Sequence, residues 1–287
     1  MLSALATSHY NNGHFDTAKS LLERALAMHR RLFGDRHPSI AADLLGLADI
    51  QQELAYYSDA ERLARQALDI NGPYYGNDHP QTANNLTVLG RALVFEKRYD
   101  EGVDALRRAL TIREDVYGKV HPFVAETVNE LGGVAYMRDQ LDEAEAQFQR
   151  VIEIYRVVYH GDHNYQIAVG EANLASVYMD RKQYPRAEQL YRNALQLYIE
   201  TQGADHVNTG IAHVKLGRTL LREGRHRDAE RQTLAGYRIL IKQSNPAESF
   251  LRAARKDLRT IYEALGQPEH AKEYQEQTVA NAAPPAR

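Results

Sequence analysis

Leu47-Ala48 returns at a fixed interval of 42 residues, as Leu5-Ala6 before it and as Leu89-Gly90 and Leu131-Gly132 after it. One inserted residue later the series resumes with Leu174-Ala175, Leu216-Gly217 and Leu258-Arg259. A leucine in register, followed by a small residue in every copy but the last, divides the chain into repeats. The rest of the sequence is read from that division.

Thirteen residues after each leucine stands a small residue: Ala18, Ala60, Gly102, Ala144, Ala187, Ala229 and Ala271. Seven further on come Ala25, Ala67, Ala109, Val151, Ala194 and Gly236, with Thr278 breaking the pattern, and each is followed by an apolar residue or tyrosine. Between the two apolar segments lies a short break marked by Phe15, Tyr57, Tyr99, Leu141 and Tyr184, then His226 and Pro268. Ile40, Leu44, Leu47 and Ala48 fall on one helical face. Each repeat therefore reads as a helix, a tight turn and a second helix. The small residues let the two helices approach closely, and the aromatic plugs the open end of the pair. A unit of this size cannot bury its own apolar face, so stacking on its neighbours must supply the core.

Between repeats stand Gly34-Asp35-Arg36-His37-Pro38, Gly76-Asn77-Asp78-His79-Pro80 and Gly118-Lys119-Val120-His121-Pro122, which drift to Gly161-Asp162-His163-Asn164 and Gly203-Ala204-Asp205-His206-Val207. With this connector the pattern resembles the tetratricopeptide repeat, in the longer form found in kinesin light chains and many bacterial proteins. The resemblance covers residues 1–279, in repeats of about 1–34, 35–76, 77–118, 119–161, 162–203, 204–244 and 245–279, and leaves 280–287 as a disordered tail. It implies an all-α solenoid, a right-handed superhelix of about seven antiparallel helix pairs.

Proline suits the first position of a helix, where its missing N–H costs nothing, so the preceding histidine lies near the N-cap. His37, His79, His121, His163 and His206 are accordingly read as structural. Gly72-Pro73 is expected to end the second repeat's second helix early, because proline blocks continuation. Counting nine residues back from Leu5 runs off the start of the chain. The first repeat thus lacks about one turn of its first helix, and the chain is expected to be a piece of something longer. At the other end Gln243-Ser244-Asn245-Pro246 replaces the histidine connector, and Leu258 through Tyr274 reads as a capping repeat with a wetter outer face. That ending is similar to the tetratricopeptide arrays that follow the kinase domain in some bacterial serine/threonine kinases, which implies a non-catalytic sensory or docking region.

Composition narrows the function. The chain has 287 residues, 44% hydrophobic and 25% charged, as expected of a soluble folded protein. A net charge of −3 removes the usual electrostatic case for nucleic acid. Without cysteine there is no disulfide framework and no thiolate metal site. No apolar run approaches a bilayer span and no signal peptide is visible, so a cytoplasmic protein without membrane contact is expected. There is no phosphate loop, no His-Glu-x-x-His and no kinase motif. His160-Gly161-Asp162-His163 holds metal-ligand residue types but belongs to the connector series, so neither a metal nor a cofactor is expected. Glu143 and Glu145, two apart, point away from each other on a helix. Nothing in the sequence supports an enzyme.

In the family the first helices of successive repeats line a concave groove. Carried onto this chain, the inward positions imply an apolar strip of Val94, Phe95, Tyr136, Met137, Met179 and Leu221. Arg91, Arg218 and Arg222 would flank it, and Asn129 would offer an amide to a peptide backbone. Exposed apolar strips mark interaction surfaces, and methionine adapts to varied partners. The chaperone-tail carboxylate clamp is a poor match, because Ser3 and Leu45 stand where basic or amide groups are wanted. The expectation is an interaction scaffold holding a segment of a partner protein in the groove. Self-association through the terminal repeats is a further expectation.

Overall fold

The computed structural model describes residues 1–161, 163–243 and 247–274. Among them lie fourteen α-helices in seven pairs: α1 (Leu2–Asn11) with α2 (Phe15–Phe33), α3 (Pro38–Glu53) with α4 (Tyr57–Tyr75), α5 (Pro80–Phe95) with α6 (Tyr99–Tyr117), and α7 (Pro122–Met137) with α8 (Leu141–Val158). These eight form one compact unit, Met1–Asp162. The second unit, His163–Arg287, contains α9 (Tyr165–Asp180) with α10 (Tyr184–Gln202), α11 (Val207–Arg222) with α12 (His226–Leu240), and α13 (Glu248–Ala264) with α14 (Pro268–Glu273). Within each unit every helix packs on the next. The seven repeats expected from the 42-residue interval are thus present as seven pairs. The expected tail at 280–287 lies outside the described residues.

The turn inside each pair is closed by one device. The residue before the second helix's N-cap takes left-handed backbone: Gly13, Ala55, Lys97, Asp139, Lys182, Gly224 and Gly266. The next N–H then reaches back to the fifth carbonyl before it, as from Tyr56 to Gln51 at 2.8 Å and from Arg98 to Leu93 at 2.9 Å. This satisfies carbonyls that the helix end would otherwise leave open. Second helices begin on the residues read as the break: Phe15, Tyr57, Tyr99, Leu141, Tyr184, His226 and Pro268.

Between repeats, the glycine of the connector ends the second helix in a conformation open only to glycine, with φ 77° and ψ 178° at Gly34. Three residues on, the histidine caps the next first helix. Nδ1 of His37, His79, His121 and His206 accepts the backbone N–H two residues ahead at 3.1–3.2 Å. The fourth connector departs from the expectation. Asn164, not His163, is the cap there, accepting from the Gln166 N–H at 2.8 Å. The inserted residue has moved the cap one place along, and His163 instead lies 3.4 Å from Glu200. Pro73 does not stop α4, which continues to Tyr75. Pro73 falls in the last turn, where the carbonyl it leaves unpaired, on Asp69, belongs to an exposed residue and can be hydrated.

Ala18, Ala60, Gly102, Ala144, Ala187, Ala229 and Ala271 are all buried where the two helices of a pair cross. A Cβ on Gly102 would meet Val94 Cγ2 at 2.6 Å and the Gly90 carbonyl at 3.0 Å. This contact corrects the reading of Val94 as a groove residue. It is 4% exposed and packs against Leu106, Leu131 and Val134, because the missing side chain at Gly102 opens a socket for it.

Candidate functional site

Successive first helices touch directly within each unit, and side chains along that shared face link one repeat to the next. In the N-terminal unit, Arg91 on α5 donates to Asp49 on α3 at 2.5 Å and lies 3.9 Å from Glu130 on α7. Tyr10 on α1 donates to Glu53 on α3 at 3.2 Å. Glu126 on α7 lies 3.5 Å from Arg113, which reaches up from α6 and also donates to Asn84 on α5 at 2.9 Å. Three carboxylates thus share two guanidiniums, and Glu53 beside them is held by the Tyr10 hydroxyl.

Their electrostatics follow from that ratio. Burial, reinforced by Glu53, raises the Asp49 carboxyl above its ordinary range despite Arg91. Burial likewise raises Glu130, with Glu126 adding to the shift, and raises Glu126 against the pull of Arg113. Burial opposes the Arg91 charge, yet Asp49 and Glu130 hold its pKa above the usual value. A cavity of about 500 Å³ opens on the same face between α1 and α3, lined among others by Ser3, Tyr10, His29, Asp43 and Asp49.

The expected strip falls into two groups, one in each unit. In the N-terminal unit Phe95 is 45% exposed and its ring stacks on Tyr57 at 4.9 Å. Met137 is 49% exposed, and Tyr136 and Asn129 are half-buried, each with a partner. Arg91 is committed to Asp49. In the C-terminal unit Met179 and Leu221 are half-buried and Arg222 is exposed. Arg218 donates through Nε to Asp257 on α13 at 2.8 Å.

Sequence reasoning missed Glu130 and Lys215, which occupy the position immediately before the repeat leucine. That position reads Ala4, Gly46, Val88, Glu130, Asn173, Lys215 and Asp257 along the chain. Its free variation between small, apolar and charged types beside a strictly kept leucine is the signal that could have placed it on the shared face.

It also missed the buried side chains at the junctions between repeats. His29 on α2 meets Asp43 on α3 at 2.6 Å, with Ser3 donating to the same carboxylate at 3.0 Å. One period later Asn71 donates to Asn85 at 3.1 Å. One period after that Arg113 donates to Thr127 Oγ1 and the Phe123 carbonyl, both at 2.7 Å. The same two positions in the C-terminal unit hold Tyr198 with Ala212 and Leu240 with Ala254, all buried.

A profile of the tetratricopeptide repeat family matches residues 1–72, 93–156 and 166–242. No curated protein sequence matches the chain. Among solved structures, BtubC (BKLC) from P. vanneervenii is 19% identical over 78% of this chain and 90% of its own, with a TM-score of 0.65. A putative kinesin light chain from Podosopora anserina with nearly identical TPR-like repeats is 20% identical over 73% of this chain and 99% of its own, with a TM-score of 0.58. A Rap protein complexed with competence and sporulation factor is 14% identical over 96% of this chain and 76% of its own, with a TM-score of 0.66. At such identities the likeness is one of fold. No helix among the described residues is long and apolar enough to cross a membrane. The family profile spans most of the chain, and the helix pairs recur along it in register apart from one inserted residue: the protein belongs to the tetratricopeptide repeat family.

Proposed function

We propose that the chain is a non-catalytic interaction scaffold, and that the face shared by its first helices holds a peptide segment of a partner protein. The observation that carries this reading is the half-exposure of Phe95 and Met137 at 45% and 49%, while their neighbours Val94 and Ala135 are buried. Large apolar side chains left open beside half-buried polar groups offer both an anchor and orienting hydrogen bonds. The fold adds support, since one structural neighbour is a Rap protein in complex with a factor.

A random peptide display library selected against the native chain, and in parallel against a Phe95→Ala, Met137→Ala, Arg222→Glu variant, tests it. Peptides enriched on the native chain and lost on the variant are expected. Equal enrichment on both moves the site elsewhere. Arg218 is left intact, because a glutamate there would face Asp257 and unsettle the α11–α13 contact.

A second reading makes the array the sensory or docking region of a larger signalling protein, such as a bacterial serine/threonine kinase. Its support is a neighbouring structure, a signal transduction ATPase with a tetratricopeptide repeat sensor, of which this chain covers 40%. The coding sequence on either side decides it: an adjoining catalytic domain supports the reading, and stop codons end it.

A further inference from the structure

Lys215 lies on α11 within the C-terminal unit, on the face where α9 and α13 also meet α11. Its ammonium nitrogen is 3.4 Å from Ser176 Oγ on α9, 5.9 Å from the Tyr191 ring centre on α10 and 6.0 Å from the Phe250 ring centre on α13. Ser176 donates its own proton to the Ala172 carbonyl at 2.9 Å, so toward Lys215 it acts as an acceptor. Tyr191 stays a neutral phenol, its pKa pushed up by burial to about 12. No ion pair to Lys215 exists among the described residues, and the Asp257 carboxylate on α13 is engaged by Arg218. Arg218, one turn along α11, adds a like charge. Burial, then Arg218, push the Lys215 amine down to about 8.

Taken together, the amine of a half-buried lysine is held between two aromatic faces, beside a guanidinium and without an acid. Such surroundings penalise the ammonium and favour the free amine, which is a nucleophile. We propose that Lys215 is an acyl-acceptor site, taking a short acyl group from a small activated donor of the acyl phosphate or thioester class. The amine lone pair attacks the donor's carbonyl carbon. The bond from that carbon to the phosphate oxygen or thioester sulfur breaks, and the leaving group departs with the electron pair. The proton released from nitrogen goes to solvent, and no oxidation or reduction occurs. The amide product carries no charge to desolvate, sets its alkyl part against Tyr191 and Phe250, and relieves the repulsion from Arg218. Acylation would remove one cation from this face, and the proposal goes beyond the peptide reading without depending on it.

The chain's seven other lysines serve as internal references. The full-length protein is treated with limiting acetyl phosphate in one arm and an acetyl thioester in the other, across a pH series, and acetylation at each lysine is read by mass spectrometry. Lys215 is expected to react about tenfold faster than the median lysine near neutral pH, and its rate to level off above about pH 8 while the others keep climbing. Reaction with one donor alone identifies the source. In an Arg218→Gln variant the plateau should move to higher pH, with circular dichroism confirming an intact fold. Labelling of Lys215 no faster than the reference lysines in both arms, or a rate that climbs with theirs past about pH 9, overturns the proposal.

Discussion

Ala55, Lys97, Asp139 and Lys182 occupy left-handed backbone with φ between 58° and 65°, at turns where sister repeats place Gly13, Gly224 and Gly266. The Cβ of an L-residue is crowded there, at about 1–2 kcal/mol, partly offset by the larger entropy a glycine loses on folding. Lys97→Gly is therefore expected to stabilise the fold by about 0.5–1 kcal/mol, read as a shifted urea midpoint; a loss of stability would mean that the Lys97 side chain contributes more than its backbone costs. The raised carboxyls give a second residue-scale prediction. Glu130 keeps its proton to higher pH in the folded chain than in the unfolded one, where 4.5 is ordinary. Its contribution to stability is thus fully present below that value and is lost as pH rises through the folded-state value. Glu130→Gln should be more stable than the native chain at neutral pH, by about 2 °C in Tm, with the gain vanishing toward about pH 4. A gain that is the same at both pH values would assign the effect to something other than ionisation. The sequence did not disclose this shift, because the carboxyl of Glu130 is set by neighbours one and two repeats away, Arg91 and Asp49 among them.

Helix starts, turn positions and close-packed small residues were legible at the element scale, since each is set by local backbone chemistry repeated seven times. What stayed hidden depends on contacts across elements. Val94 was assigned to the open face because its position points inward in the family, yet Gly102 opposite it made a socket. Asn164 took the capping role from His163 because one inserted residue lengthened that connector. The junction pairs at 29/43, 71/85 and 113/127 escaped notice because their residue types differ although their spacing does not. The half-satisfied pair is open to improvement: Asn71 Oδ1 and Asn85 Nδ2 are buried without partners. Asn71→Leu with Asn85→Ala copies what positions 240 and 254 already hold, and should stabilise by about 1–2 kcal/mol in chemical denaturation. Destabilisation by the double change would show that the amide contact matters more than its unpaired atoms. Arg113, whose side chain is 5% exposed, ties α5, α6 and α7 together, so Arg113→Met should cost about 3 kcal/mol. An ion cluster also recurs in the same register: Arg98 with Glu61, Glu96 and Glu101, then Arg225 with Glu188, Glu223 and Asp228. Each joins neighbouring repeats at an exposed edge, where salt screens its effect.

For the molecule as a whole, the division into two compact units coincides with the break in the 42-residue interval. Residues 159–164 separate α8 from α9, against four residues at the earlier connectors. Since the helices of the N-terminal unit bury their apolar faces among themselves, residues 1–161 are expected to fold alone, with a cooperative thermal transition in circular dichroism. A gradual, non-cooperative melt would show that the unit needs the rest of the chain. Repeats so alike in outline could in principle be exchanged, dropped or duplicated, and the packing of small residues and leucines would accept any order. The buried junctions would not. Loss of the second repeat would bury His29 against Asn85, and loss of the third would set Asn71 against Thr127, in each case replacing a matched contact with a mismatched one. Residues that look like idiosyncrasies of single repeats therefore act as an ordering code, read each time the chain folds, and a copying error that shuffles the repeats would carry its own penalty in stability.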